Sequence, residues 1–167
     1  MLFGLVLIVS LSASTQETPK VEISLGYSYV RTNLAGAPVN LHGVSGSLVK
    51  NVNDWFGFVA DVGGYHAEGI KIYTYLFGSR LSYRRNDKAT PFFQASFGST
   101  HASDGSRGLP ASDNAFAMAI GGGLDVKIRN NVAIRFIQGE YLMTRLGSGK
   151  QNNARLTVGI VLRLGTK

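Results

Sequence analysis

Seven ionisable side chains, Glu22, Asp61, Arg80, Asp125, Arg135, Arg155 and Arg163, fall inside stretches of alternating apolar and polar residues. In NARLTVGIVLRLG, Leu156, Val158, Ile160 and Leu162 alternate with Arg155, Thr157, Gly159 and Arg163, so both arginines share the polar face of an extended segment. Arg80 in KIYTYLFGSRLSY and Asp61 in WFGFVADVGGY lie on the small or polar faces of theirs. Such residues can form ion pairs in an enclosed space, where an unpaired charge is costly and partners must be found. Glu22, Asp61 and Asp125 are available to Arg80, Arg135, Arg155 and Arg163, and Asp61 is the expected partner of Arg80.

Other chemistry is sparse. His101 and Ser103, in FGSTHASDG, form a His-x-Ser pair, but a nucleophilic serine needs an oriented base and usually a carboxylate behind it, and none is evident here. His42 and His66 stand alone, no spacing suggests zinc, and cysteine is absent. The expectation is a chain that is not an enzyme and needs no cofactor. The net charge of +7 comes from Lys and Arg scattered over turns, strand ends and strand interiors. That dispersal argues against a nucleic-acid surface.

The elements that position these charges are strands. Eight candidates succeed one another: Val21 to Arg31, Leu41 to Lys50, Trp55 to Tyr65, Lys71 to Tyr83, Pro91 to Ala102, Asn114 to Lys127, Val132 to Thr144, and Asn153 to Leu164. Most approach the roughly 9 to 11 residues of a tilted membrane strand, against a usual strand of about 5 or 6. Ahead of them, MLFGLVLIVSLSAS has the apolar run and small residues of a signal peptide, with cleavage expected after Ser14, although no Lys or Arg precedes the run. The expected organisation is therefore residues 1–14 as leader and 15–167 as one barrel domain. The first, third, fifth and seventh gaps are mostly the longer ones and richer in Gly, Ser and Pro, the contrast expected of external loops against periplasmic turns.

Lys or Arg on a lipid face at mid-bilayer costs about 2 to 4 kcal/mol, so the arginine-bearing faces must turn inward and the Tyr, Phe and Leu faces outward. The predicted fold is all-β, an eight-stranded antiparallel up-and-down transmembrane β-barrel. Glycine is unusually frequent, at 21 residues, and the narrow interior accounts for Gly26, Gly57, Gly78, Gly98, Gly121, Gly123 and Gly159 on the inferred inner faces. Tyr27, Tyr29, Tyr73 and Tyr75 at one end, with Trp55, Phe56, Tyr83 and Phe93 at the other, suggest two interfacial girdles. One strand resists the pattern: with Arg135 inward, strict alternation sends Gln138 and Glu140 to lipid, unless a bulge near Gly139 restores Glu140.

GGGLDVKIRNNVAIRF, Gly121 to Phe136, resembles the sixth and seventh strands of the small OmpA-like outer-membrane barrels, and LTVGIVLRLG looks like the closing strand of that family. The likeness extends over the mature chain in strand count and spacing. It implies that Asp125 and Arg135 belong to a charge cluster inside the barrel. The chain is expected in the outer membrane of a Gram-negative-type bacterium, and as a monomer. Outer-membrane lipid and external partners of the loops are the expected contacts. The chain departs from the family in ending RLGTK rather than on an aromatic, and the peptidoglycan binding of longer relatives is not carried over. The leading functional reading is a structural, anchoring or loop-mediated interaction role with a side-chain-plugged lumen. The alternatives are a narrow porin-like channel and a soluble lipocalin-type barrel with its faces reversed. A minor fourth is suggested by outer-membrane lipid A deacylases, some of which also carry a His-x-Ser pair.

Overall fold

A computed structural model describes residues 18–34, 37–67, 70–86, 88–104, 113–146 and 149–166. The expected leader lies outside the described residues, as does most of the fifth gap, at 105–112. Eight strands follow in chain order: β1 (Pro19–Leu34), β2 (Ala37–Asn51), β3 (Phe56–Ala67), β4 (Ile70–Ser82), β5 (Ala89–Asp104), β6 (Asp113–Arg129), β7 (Val132–Leu146) and β8 (Gly149–Thr166). Each pairs antiparallel with the next, and β8 returns to β1 to close the barrel. Closure leaves no unpaired sheet edge, which is what a sheet surrounded by hydrocarbon requires.

The register sets the tilt. Following direct partners from Val21 through Lys50, Phe58, Ser79, Ala95, Ile120, Tyr141 and Ala154 leads back to β1 at Arg31, ten residues further along. A stagger of that size belongs with the strong tilt, roughly 35–45°, of small membrane barrels.

Alternation decides the faces. Leu25, Phe58, Phe77, Phe97 and Phe136 are all more than half exposed on the outside, while Arg80, Gln94 and Arg155 are completely enclosed. This is opposite to a lipocalin, whose apolar face lines a cavity. Tyr27, Tyr73 and Tyr75 are exposed towards the end of the barrel where β5 finishes and β6 begins, here the loop end. Trp55, Tyr83 and Phe93 are exposed towards the terminal end, where Pro19 pairs with Thr166.

Several strands are longer than their sequence pattern suggested. Arg31 to Leu34 pairs with Ala37 to Asn40, Ala67 with Ile70, and Arg145 with Lys150, so much of what was expected to be loop continues as hairpin. Beyond the apolar belt a strand needs no greasy face, and pairing still satisfies its backbone. The loop-end connections are then 35–36, 68–69, 105–112 and 147–148, against 52–55, 83–88 and 130–131 at the terminal end. The expected contrast in length thus survives only at 105–112, the one loop-end connection longer than those at the terminal end. Trp55 and Tyr83 fall in connections rather than strands. Asn53 Oδ1 shapes the first of these, accepting the backbone N–H of Trp55 at 3.1 Å and of Phe56 at 2.7 Å.

The bulge in β7 is not at Gly139. Asp125 pairs with Arg135 and Leu124 with Ile137, which leaves one extra residue at Phe136, and the same shift appears against β8. Phe136 and Ile137 both face outward, after which Gln138 and Glu140 turn inward. Two consecutive apolar side chains seek lipid here, and the bulge lets both reach it without exposing Gln138 or Glu140.

Candidate functional site: the charged barrel interior

One row of direct register partners crosses five strands and carries most of the interior chemistry: Arg80 on β4, Gln94 on β5, Gly121 on β6, Glu140 on β7 and Arg155 on β8. Arg80 donates from Nε and Nη2 to Gln94 Oε1, at 3.0 and 2.7 Å. Gln94 Nε2 donates to Glu140 Oε1 at 2.8 Å, passing over Gly121. The glycine is required there, because a Cβ at position 121 would meet Glu140 Cα at 2.6 Å and the backbone of Gly139. The constraint at this glycine is therefore the neighbouring strand's backbone as well as the narrowness of the lumen.

Arg155 joins the row to the opposite wall. Its Nε donates to Glu140 Oε2 at 2.7 Å, and Nη2 lies 2.6 Å from the same oxygen without hydrogen-bond geometry. Across the lumen its Nη1 donates to Asp61 Oδ1 at 2.8 Å and to the Tyr65 hydroxyl oxygen at 2.9 Å. Asp61 is thus held by Arg155 rather than by Arg80. The register explains the correction: Arg80 stands opposite Gly57, four positions along β3 from Asp61, or roughly 13 Å at strand spacing.

A second group lies towards the terminal end. Arg135 grips its direct partner Asp125 with two bonds, Nε to Oδ1 at 2.8 Å and Nη2 to Oδ2 at 3.0 Å. Its Nη1 donates to Gln138 Oε1 at 2.8 Å and Ser24 Oγ at 3.2 Å. Phe92 offers its ring to both arginines, with Arg80 Cζ 4.2 Å and Arg135 Cζ 4.7 Å from its centroid. A third group surrounds Glu22, which is paired with Arg84 and accepts from Asn51 Nδ2 at 2.9 Å. Arg163, its direct partner in register, reaches only to 4.0 Å and donates Nη2 to Thr90 at 3.2 Å.

All seven residues singled out from the sequence therefore lie on the inner face, but in three groups. The partners that complete those groups, Glu140, Gln94, Gln138, Arg84 and Phe92, were not among them. Gln94 was legible as an inward position by alternation from the outward Phe93; Arg84 sits in a connection, where alternation has no meaning. Among the described residues the interior carries five guanidinium groups against four carboxylates. Arg80 is the one without a carboxylate partner, held instead by an amide oxygen and an aromatic face.

Above Arg155 the lumen changes character. Val30, Leu41, Tyr65 and Ile72 pack together towards the loop end, and a cavity of about 20 Å³ beside them is large enough for a water molecule. A second void, of about 10 Å³, lies by Asp61 and Arg135.

The histidines are elsewhere. His101 lies at an outward position of β5, with Nδ1 3.0 Å from Asn114 Oδ1, so its nearest polar partner is an amide and not a carboxylate. Ser103 stands opposite Lys71 in register. No cluster of three or more His, Cys, Asp or Glu with metal-binding geometry occurs among the described residues.

Comparison with known proteins accords with this architecture. The model of the outer membrane protein beta-barrel domain matches residues 1–161. None of the curated proteins searched matches the sequence. Among solved structures, Neisserial surface protein A (NspA) superposes with a TM-score of 0.71 at 14% identity, over 87% of this chain and 97% of that one. The N-terminal β-barrel domain of Pseudomonas aeruginosa OprF gives 0.58 at 14% identity, covering 88% and 100%. Ail, the attachment invasion locus protein of Yersinia pestis, gives 0.56 at 19% identity, covering 87% and 99%.

Proposed function

Because this chain belongs to the outer membrane protein beta-barrel domain family and resides in the outer membrane of a Gram-negative bacterium, we propose that it is a non-enzymatic anchor. In this reading a monomeric barrel with a side-chain-plugged lumen holds its loop-end hairpins outward to meet external partners, and both chain ends are periplasmic. Residues 1–14 are a signal peptide lost on export, which leaves 15–167 as the barrel domain.

The observation that carries the reading is the row from Arg80 to Arg155, extended to Asp61 across the lumen. These side chains hydrogen-bond wall to wall at mid-barrel, and the void described beside Asp61 is of about 10 Å³. An eight-stranded interior is just wide enough for its own side chains, so a connected row of this kind obstructs solute passage. A nucleophilic role for Ser103 finds no support in His101, whose ring is engaged by Asn114.

The test is single-protein conductance in planar bilayers, beside gel mobility with and without boiling. The expected result is a heat-dependent mobility shift with no steady conductance. Stable ion currents from the folded form would replace the anchor with a narrow channel. Thiol labelling of a cysteine placed at residue 108, in intact cells, reads orientation separately and should succeed without permeabilisation.

A further inference from the structure

On the outside of the barrel, one register row brings His42 of β2, His66 of β3 and Lys71 of β4 side by side. All three are exposed and point away from the lumen. Neighbouring strands are about 4.8 Å apart, so the three side chains can converge on one small group. On each strand they lie just beyond the apolar belt on the loop-end side: His42 beyond Val44, His66 beyond Val62, Lys71 beyond Tyr73. On β1 the row continues to Tyr29, and Arg31, exposed as well, lies two positions further towards the loop end, opposite Asn40. Among the described outward positions at this end there is no Asp or Glu.

His42 is also held in place. Its ring lies 6.1 Å from that of Tyr27 in a stacked arrangement and 5.3 Å from that of Tyr29, tilted. Its Nδ1 is bonded to the Tyr27 hydroxyl. In the tautomer that accepts the Tyr27 hydroxyl at Nδ1, the ring carries its proton on Nε2 and offers that N–H outward. A lysine ammonium and imidazole N–H donors at strand spacing, with no carboxylate at the described outward positions of this end, set at the edge of a lipid-facing belt, match the chemistry of a tetrahedral anion held at the membrane surface.

We infer that His42, His66 and Lys71 form a binding site for the phosphate of a phosphorylated lipid in the leaflet surrounding the loop end. The lipid's acyl chains lie along Val44, Val62 and Tyr75 while its phosphate sits among the three donors. The choice of leaflet rests on the outward orientation proposed above, which the residue-108 labelling reads independently; the site itself does not.

Native mass spectrometry of the full folded chain, released from dodecyl-maltoside micelles, tests the inference with three probes: diphosphoryl lipid A, the same lipid with both phosphates removed, and inorganic phosphate. The native protein should retain the diphosphorylated lipid and not the dephosphorylated one. The combined variant His42→Gln, His66→Gln, Lys71→Gln should lose about tenfold or more in affinity. Removing three exposed cations from the terminal end, Lys50→Gln, Arg85→Gln and Lys88→Gln, should leave it unchanged. If the combined variant shows no heat-dependent gel shift, Lys71→Gln alone replaces it, with a loss of several-fold expected. Equal retention of the dephosphorylated lipid, equal losses from the two ends, or unaltered binding in the Lys71 variant would each overturn the site. Saturation by inorganic phosphate at the same concentration would overturn the lipid as its occupant.

Discussion

Replacing Arg155 by methionine is the sharpest test of the interior row. Met roughly fills the side chain's volume, so the change removes the charge and its hydrogen bonds while opening little space. What remains is two enclosed carboxylates, Asp61 and Glu140, and a Tyr65 hydroxyl that has lost its donor. Breaking a buried pair by removing one partner costs about 3 to 5 kcal/mol, and two stranded carboxylates place this case at the upper end. Asp61→Ala should cost less, about 1 to 3 kcal/mol, because Arg155 keeps Glu140 at 2.7 Å. Asp61→Asn, Glu140→Gln and Arg155→Met together remove the charges as a set and should recover most of the loss. Urea unfolding in lipid vesicles measures all three, followed by the fluorescence of Trp55, the sole tryptophan. If Arg155→Met costs under about 1 kcal/mol, or no more than Asp61→Ala, then Arg155 does not organise the interior as described.

The bulge makes a second prediction, because it turns Ile137 to lipid where strict alternation would turn it inward. Ile137→Lys should destabilise the barrel in bilayers, by up to about 2 to 4 kcal/mol according to depth, and urea midpoints in vesicles report it. Gln94→Leu removes the acceptor of Arg80 and the bridge to Glu140, and should cost about 1 to 3 kcal/mol in the same assay. Gly78→Val places a Cβ against the carbonyl of Ala95 and 2.5 Å from Ser96 Cα. It should sharply lower the yield of the heat-shifted band, whereas Gly64→Val, whose nearest heavy atoms are Tyr73 ring carbons at 3.5 Å, should fold normally.

The strand count, the inward placement of Glu22, Asp61, Arg80, Asp125, Arg135, Arg155 and Arg163, and the apolar outer face were all written in the sequence. Alternation with a period of two is a local property, and the cost of a charge in hydrocarbon decides which face is which without reference to any partner. Which charge meets which was not written there. Asp61 and Arg80 belong to adjacent strands, yet the register sets them four positions apart, while the curvature of the closed sheet brings Asp61 to Arg155, 94 residues further along the chain. Glu140 could be placed only once the extra residue at Phe136 was fixed by pairing on both sides of β7. A bulge slips the phase of everything after it, and a run such as Phe136–Ile137 does not reveal where that slip falls. Alternation assigns a side chain to a face; only the stagger and curvature of the closed barrel assign it a height and a neighbour.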